Sequence, residues 1–159
     1  MTATTAYRTV FISDTHLGMT GVRSATLLTF LRGLSCETLY LVGDIVDGWA
    51  LQRHWVWTDT DEQVLEAIFA QVKNGTRVVY IPGNHDDMVR GVLPVERFAG
   101  VELRLSDTLT LADGRRFYVT HGDQFDVVTN NMTWLSKFGH LIYEYYTAGM
   151  RQVSRVPGL

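Results

Sequence analysis

At 159 residues with 46% hydrophobic content, the chain is long enough for one domain with a real core and too short for two comfortable ones. A formal charge of −3 leaves no basic footprint for nucleic acid, and the single cysteine, Cys36, excludes an internal disulfide and points to a reducing compartment, with its thiol in the core. The first residues lack a basic region followed by an apolar stretch, and no uninterrupted apolar run reaches spanning length, so the expected location is the cytoplasm.

Tyr7 to Ser13 predicts the first strand, because Val10, Phe11 and Ile12 form a continuous apolar run of the kind buried on both faces. Leu27, Leu28, Leu31 and Leu34 then repeat at helical spacing, and Thr38 to Val42 restores a strand, which completes a βαβ unit. Trp49 to Trp57 is expected to be a loop. A second helix is signalled by its acidic start at Thr60-Asp61-Glu62, by Val64, Leu65, Ile68, Phe69 and Val72 on one face, and by Asn74-Gly75 at its end. Arg77 to Ile81 makes the third strand, stopped by Pro82-Gly83.

After a helical or loop stretch through Phe98, the runs Val101 to Leu105, Thr108 to Leu111 and Arg116 to Thr120 predict added antiparallel strands, with Asp113-Gly114 as a hairpin turn. From Met132 onward, Trp134, Leu135, Phe138, Leu141, Ile142 and Tyr145 describe an amphipathic helix with an aromatic face. The expected class is therefore α/β, in a single domain.

Four polar segments follow directly on the apolar runs: Asp14-Thr15-His16, Gly43-Asp44 with Asp47 behind it, Gly83-Asn84-His85-Asp86, and His121-Gly122-Asp123. In an open α/β sheet such junctions gather at the carboxyl edge, where ligands bind. Asp14 and His16 are two residues apart, so an extended backbone would send both side chains to one side to share a cation. The Asp44 carboxylate can bridge two cations, Asn84 offers a neutral oxygen, and His85, with Asp86 available to orient it, can donate a proton to a phosphoryl or leaving-group oxygen. Oxygen and nitrogen donors without thiolate suit hard or borderline divalent ions, and a pair of these suits phosphoester hydrolysis.

In this order and on these junctions, the segments resemble the calcineurin-like metallophosphoesterase superfamily, whose pattern is D-x-H, G-D-x-x-D, G-N-H-[DE], a later H, and finally G-H-x-H. The resemblance spans about Tyr7 to Asp123 and implies an αββα sandwich of mixed sheets. It further implies that Asp14 and His16 bind a first metal, that Asn84 and His121 bind a second, and that Asp44 bridges them. His85 would then act on the scissile phosphate, together with Asn84, while Asp47, Asp86 and Asp123 support the ligands from behind. Water activated by two divalent ions would attack phosphorus in line. The mixed donor set favours Mn²⁺, with Mg²⁺, Fe and Zn²⁺ as alternatives.

Within the superfamily, the stretches Phe11 to Gly18, Tyr40 to Trp49 and His121 to Asp126 are most similar to the UDP-2,3-diacylglucosamine pyrophosphohydrolase-like group of lipid A synthesis. That likeness implies a lipid-linked diphosphate substrate and peripheral membrane contact. It also implies a lid-like helical segment over residues 130–156. By their spacing of one helical turn, Arg151 and Arg155 are candidates to meet a diphosphate, solvated surface charges being the alternative. Two departures matter. The lipid A enzymes carry Arg where this chain has His85, which pulls towards a general phosphodiesterase or phosphatase for soluble nucleotides. No Gly-His-x-His follows His121 in these 159 residues, so the expected domain lacks its last strands and each metal has three protein ligands, Asp44 counting for both. A non-catalytic metal-binding scaffold, associated with a membrane through the aromatic helix, is the reading from a different class.

Overall fold

A computed structural model describes residues 5–92 and 96–125. The chain divides into two compact units, 1–121 and 122–159; of the second, only Gly122 to Phe125 is described, with a 3-10 turn over Asp123–Phe125. The expected helix from Met132, the 130–156 segment, Arg151 and Arg155 lie outside the described residues.

The first unit is built on the expected βαβ frame: β1 (Thr5–Ile12), α1 (Ser24–Gly33), β2 (Leu34–Val42), α2 (Gly48–Arg53), α3 (Asp59–Lys73) and β3 (Arg77–Ile81). A 3-10 turn (Asp87–Val92), β4 (Arg97–Phe98), β5 (Val101–Leu103) and a hairpin of β6 (Asp107–Thr110) and β7 (Arg116–Val119) follow. One sheet runs in the order β1-β2-β3-β5-β4, the first four strands mutually parallel and β4 antiparallel to β5; β6 and β7 pair separately.

Alternation along β2 and β3 builds two layers on this sheet. Leu39, Leu41 and Val78 point to the face covered by α1 and α3, where they meet Leu28, Leu31, Val64 and Ile68 in the main core. Burying each such side chain stabilises the fold by about 1.5–3 kcal/mol. Tyr40, Val79 and Ile81 point the other way, onto Val119 and Leu109 of the hairpin. The two helices are pinned at their starts as well: Thr58 and Asp61 form a capping box on α3, and the other Asp61 oxygen accepts from the Ser24 hydroxyl that opens α1.

Several elements depart from the sequence expectation. Leu34 opens β2 instead of ending the helix, since parallel pairing with β1 begins at Thr5↔Leu34. Trp49 lies in a short helix, α2, in place of a loop; six residues carry no readable period, and the helix starts because the Asp47 side chain accepts from the Ala50 N–H at 2.7 Å. The strand at Val101 pairs parallel with β3, its antiparallel partner being the two-residue β4. Phe11 is not buried on both faces: stacked on Tyr40, it stays 49% exposed. Cys36 is half-buried against the main core.

Candidate metal centre

Register places the chemistry. Ile12 pairs with Leu41 and Val42 with Ile81, so the chain leaves β1, β2 and β3 at one edge, and Ser13, Gly43 and Pro82 begin their loops side by side. The loops are laced together by their backbones: Asp14 N–H donates to Gly43 O, His16 N–H to Asp44 O, Leu17 N–H to Ile45 O, and Gly43 N–H to Ile81 O.

Asp14, His16 and Asp44 all adopt positive φ, at 54°, 47° and 54°. Left-handed backbone costs a non-glycine residue about 1–3 kcal/mol and persists only where its surroundings impose it. The extended geometry expected for Asp14-Thr15-His16 is thus not how the two side chains converge. The chain turns twice, pinned between the turns by the Thr15 hydroxyl on Ile45 O at 2.8 Å, and still brings ligand atoms of Asp14, His16 and Asp44 within 4.8 Å of one another.

Asp47 organises the imidazoles. Its Oδ2 accepts from Nδ1–H of His16 and from Nδ1–H of His85, each at 3.0 Å, while Oδ1 caps α2. An ionised carboxylate only accepts, so both rings carry hydrogen on Nδ1 and their Nε2 atoms are left for other partners. Burial pushes the Asp47 carboxyl up, but the Ala50 N–H and the His85 and His16 rings outweigh it and hold the group below the usual carboxylate range. The sequence assigned this orienting role towards His85 to Asp86. Asp86 instead points inward, fully buried, accepting from Gly83 N–H, Ile45 N–H and the Tyr80 hydroxyl, and so ties the β3 loop to the β2 loop. Burial and this carboxylate together push the Tyr80 hydroxyl far up.

His121 follows β7. Its Nδ1–H donates to Val42 O at 3.3 Å, and its Nε2 stands 3.6 Å from Asp44 Oδ2; His16 Nε2 stands 3.9 Å from the same oxygen. Asp44 Oδ1 is occupied by the His85 N–H at 2.9 Å. Two imidazole nitrogens and one buried carboxylate oxygen thus face one another beyond hydrogen-bond length, with a separation that a shared cation can bridge. The donor set fits hard or borderline divalent ions. Glycines make this approach feasible: a Cβ on Gly43 would run into the His121 ring, and one on Gly83 into the Asp44 carboxylate and the same ring.

Asn84 is half-buried between these fixed points on the β3 loop. His85 is boxed on three sides, by Asp47, by the edge of the His16 ring at 4.8 Å between centroids and by the Trp49 indole at 4.2 Å, and its carbonyl accepts from Gly48 N–H. Trp49 therefore flanks the centre, a neighbour the sequence did not mark as a site residue; its spacing of two from Asp47 was the available signal. Asp123 lies in the second unit, at the start of its 3-10 turn.

A sheet edge that gathers carboxylates and imidazoles around one buried oxygen defines an α/β protein built to hold divalent cations. The family model for calcineurin-like phosphoesterases matches residues 7–152, and the chain belongs to that family. It is 31% identical to a UDP-2,3-diacylglucosamine hydrolase of Aromatoleum aromaticum over 72% of this chain and 46% of that protein. To the hydrolase of that name from Xanthomonas campestris pv. campestris it is 32% identical, with 72% and 46% covered. A DNA polymerase II small subunit of Methanothermobacter thermautotrophicus is 28% identical over 82% of this chain and 33% of that protein. The chain thus spans between a third and a half of the length of these relatives. Among the described residues, no helix is long and apolar enough to cross a membrane.

Proposed function

We propose that this chain carries the metal-binding edge of a two-metal phosphoester or diphosphate hydrolase, with Asp14 and His16 on one cation, Asn84 and His121 on the other, and Asp44 between them. The observation that carries this reading is the Asp44 Oδ2 atom, faced by Nε2 of His16 and of His121 while both Nδ1 atoms are occupied. When bound, the cations supply charge to the phosphoryl oxygens and lower the pKa of a water. His85 hands a proton to the leaving oxygen, and Asp47 holds its ring in place through Nδ1. Asp86 keeps the β3 loop in register beneath Asn84 and His85, and Asp123 follows as a supporting residue. Mn²⁺ is the preferred ion for this donor set.

The finer reading is a UDP-2,3-diacylglucosamine-like nucleotide-sugar lipid as substrate, met in the cytoplasm at a membrane surface. It is supported by the names of the Aromatoleum and Xanthomonas relatives and by the likeness around Phe11 to Gly18 and Tyr40 to Trp49. In it, residues 1–159 belong to one phosphoesterase domain, and 130–156, with Arg151 and Arg155, cover the diphosphate. The Methanothermobacter relative, named as a subunit, favours a second reading, a metal-binding assembly component without turnover. Mn²⁺-dependent hydrolysis separates the two: bis(p-nitrophenyl) phosphate is turned over by the native chain and not by Asp44→Ala, with UMP released from the lipid nucleotide. A chain that binds Mn²⁺ and hydrolyses neither compound contradicts the hydrolase.

A further inference from the structure

We infer that the cavity beside Asp14 and His16, walled by the loop after β1 and by α1, seats an apolar chain carried by the phosphoester. This deepens the hydrolase reading and rests on it for the position of the phosphoryl group. The cavity holds about 670 Å³, a size usual for small-molecule sites, and its lining includes the candidate ligands Asp14 and His16 together with Met19, Arg23, Leu27 and Phe30. Met19 and Phe30 are 44% and 43% exposed, large apolar side chains whose burial the fold does not require.

On helix α1, Leu28 and Leu31 are buried in the core and Leu27 packs partly against it, while Leu27 and Phe30, three residues apart, line the cavity. The opposite wall is held in shape. Gly18, at φ 90°, lies so close to Leu51 of α2 that a Cβ there would come within 2.8 Å of that side chain, and Met19 N–H donates to His16 O. Arg23 is exposed at the start of α1, whose first turn contains no acidic residue, and lines the same cavity as Asp14, so its charge complements an anionic phosphoryl group there. Candidate metal ligands, a cation and apolar side chains thus line one cavity, the groups that an amphiphilic phosphoester requires for its phosphate and its chain.

A second groove of about 650 Å³ also adjoins Asp14, on the hairpin side, where Phe11, Leu109 and Phe117 line it. No arginine or lysine lines it to meet the phosphate, so the α1 cavity is the better fit. The test is calorimetric titration of octyl phosphate and methyl phosphate into the full chain loaded with Mn²⁺. The native chain binds octyl phosphate at least about tenfold more tightly. The Met19→Ser, Phe30→Ser double variant loses most of that preference with methyl phosphate affinity and melting temperature unchanged, and Arg23→Gln weakens both ligands alike. Equal affinities in the native chain, or a preference that survives the double variant and disappears in Phe117→Ser, overturns the assignment. Failure of the hydrolase reading is seen separately, as absent turnover of bis(p-nitrophenyl) phosphate.

Discussion

Replacing Asp47 by asparagine separates the two tasks of one side chain. Asparagine keeps a carbonyl oxygen for the Ala50 N–H and caps a helix as well as aspartate does, so the start of α2 survives within a few tenths of a kcal/mol. It puts an amide where Oδ2 now accepts from two Nδ1–H groups, and His16 and His85 both lose the partner that fixes ring and tautomer. Loss of such a partner behind a ligating histidine weakens metal affinity by about 10–100-fold. Asp47→Ala does the same to the histidines and also removes the cap, for about 1 kcal/mol of additional stability loss. Calorimetric Mn²⁺ titration with thermal melting of the three proteins reads both quantities. Native Mn²⁺ affinity in Asp47→Asn refutes the reasoning, as does equal stability of the two variants.

Three further outcomes follow from the same geometry. His85→Gln retains Mn²⁺ binding but slows hydrolysis of esters with poor leaving groups by about 10²–10⁴-fold, and slows p-nitrophenyl esters much less, because p-nitrophenolate leaves without a proton; an equal loss on both contradicts a role as proton donor. Gly83→Ala drives a Cβ against the backbone nitrogen of Asp44 at 2.8 Å and the His121 ring, which destabilises the fold by about 1–3 kcal/mol and weakens Mn²⁺ binding, read by melting and titration. Away from the centre, Arg77 hydrogen-bonds Glu102 through two nitrogens and Asp107 through one. The Arg77 bonds hold Glu102 below its usual range against burial; for Asp107, burial pushes up, and Tyr40 and Arg77 outweigh it. Both carboxyls are depressed in the folded chain, so their stabilisation is present at neutral pH and lost as pH falls through the usual carboxylate range to their folded values. Glu102→Gln therefore shows a shallower fall of melting temperature with acid than the native chain, and identical slopes exclude the linkage.

What the sequence made legible is what depends on local pattern. The apolar runs ending at Ile12, Val42 and Ile81 marked three strands, and the polar residues directly after them marked the edge where Asp14, Asp44 and His85 meet. The α3 face was visible as a 3.6-residue period. What escaped depends on long-range contact. Nothing in Asp47-Gly48-Trp49 says that one carboxylate will serve two imidazoles from loops 31 and 38 residues away. Nor does Asp86 reveal, beside His85, that its oxygens turn inward to Ile45, Gly83 and Tyr80. The positive φ of Asp14, His16 and Asp44 is imposed by hydrogen bonds between neighbouring loops, so intrinsic preference predicts against it. Helix α2 rests on a single cap, and β4 on two residues paired to β5, both below the length at which periodicity can be read.

The central claim is that Asp44 joins two cations. Electron paramagnetic resonance of the chain titrated with Mn²⁺ tests it most directly: the account predicts two ions per chain with an exchange-coupled spectrum, converted in Asp44→Asn to that of isolated, weakly held Mn²⁺. A native chain that saturates with one ion, or with two ions that show no coupling, contradicts it.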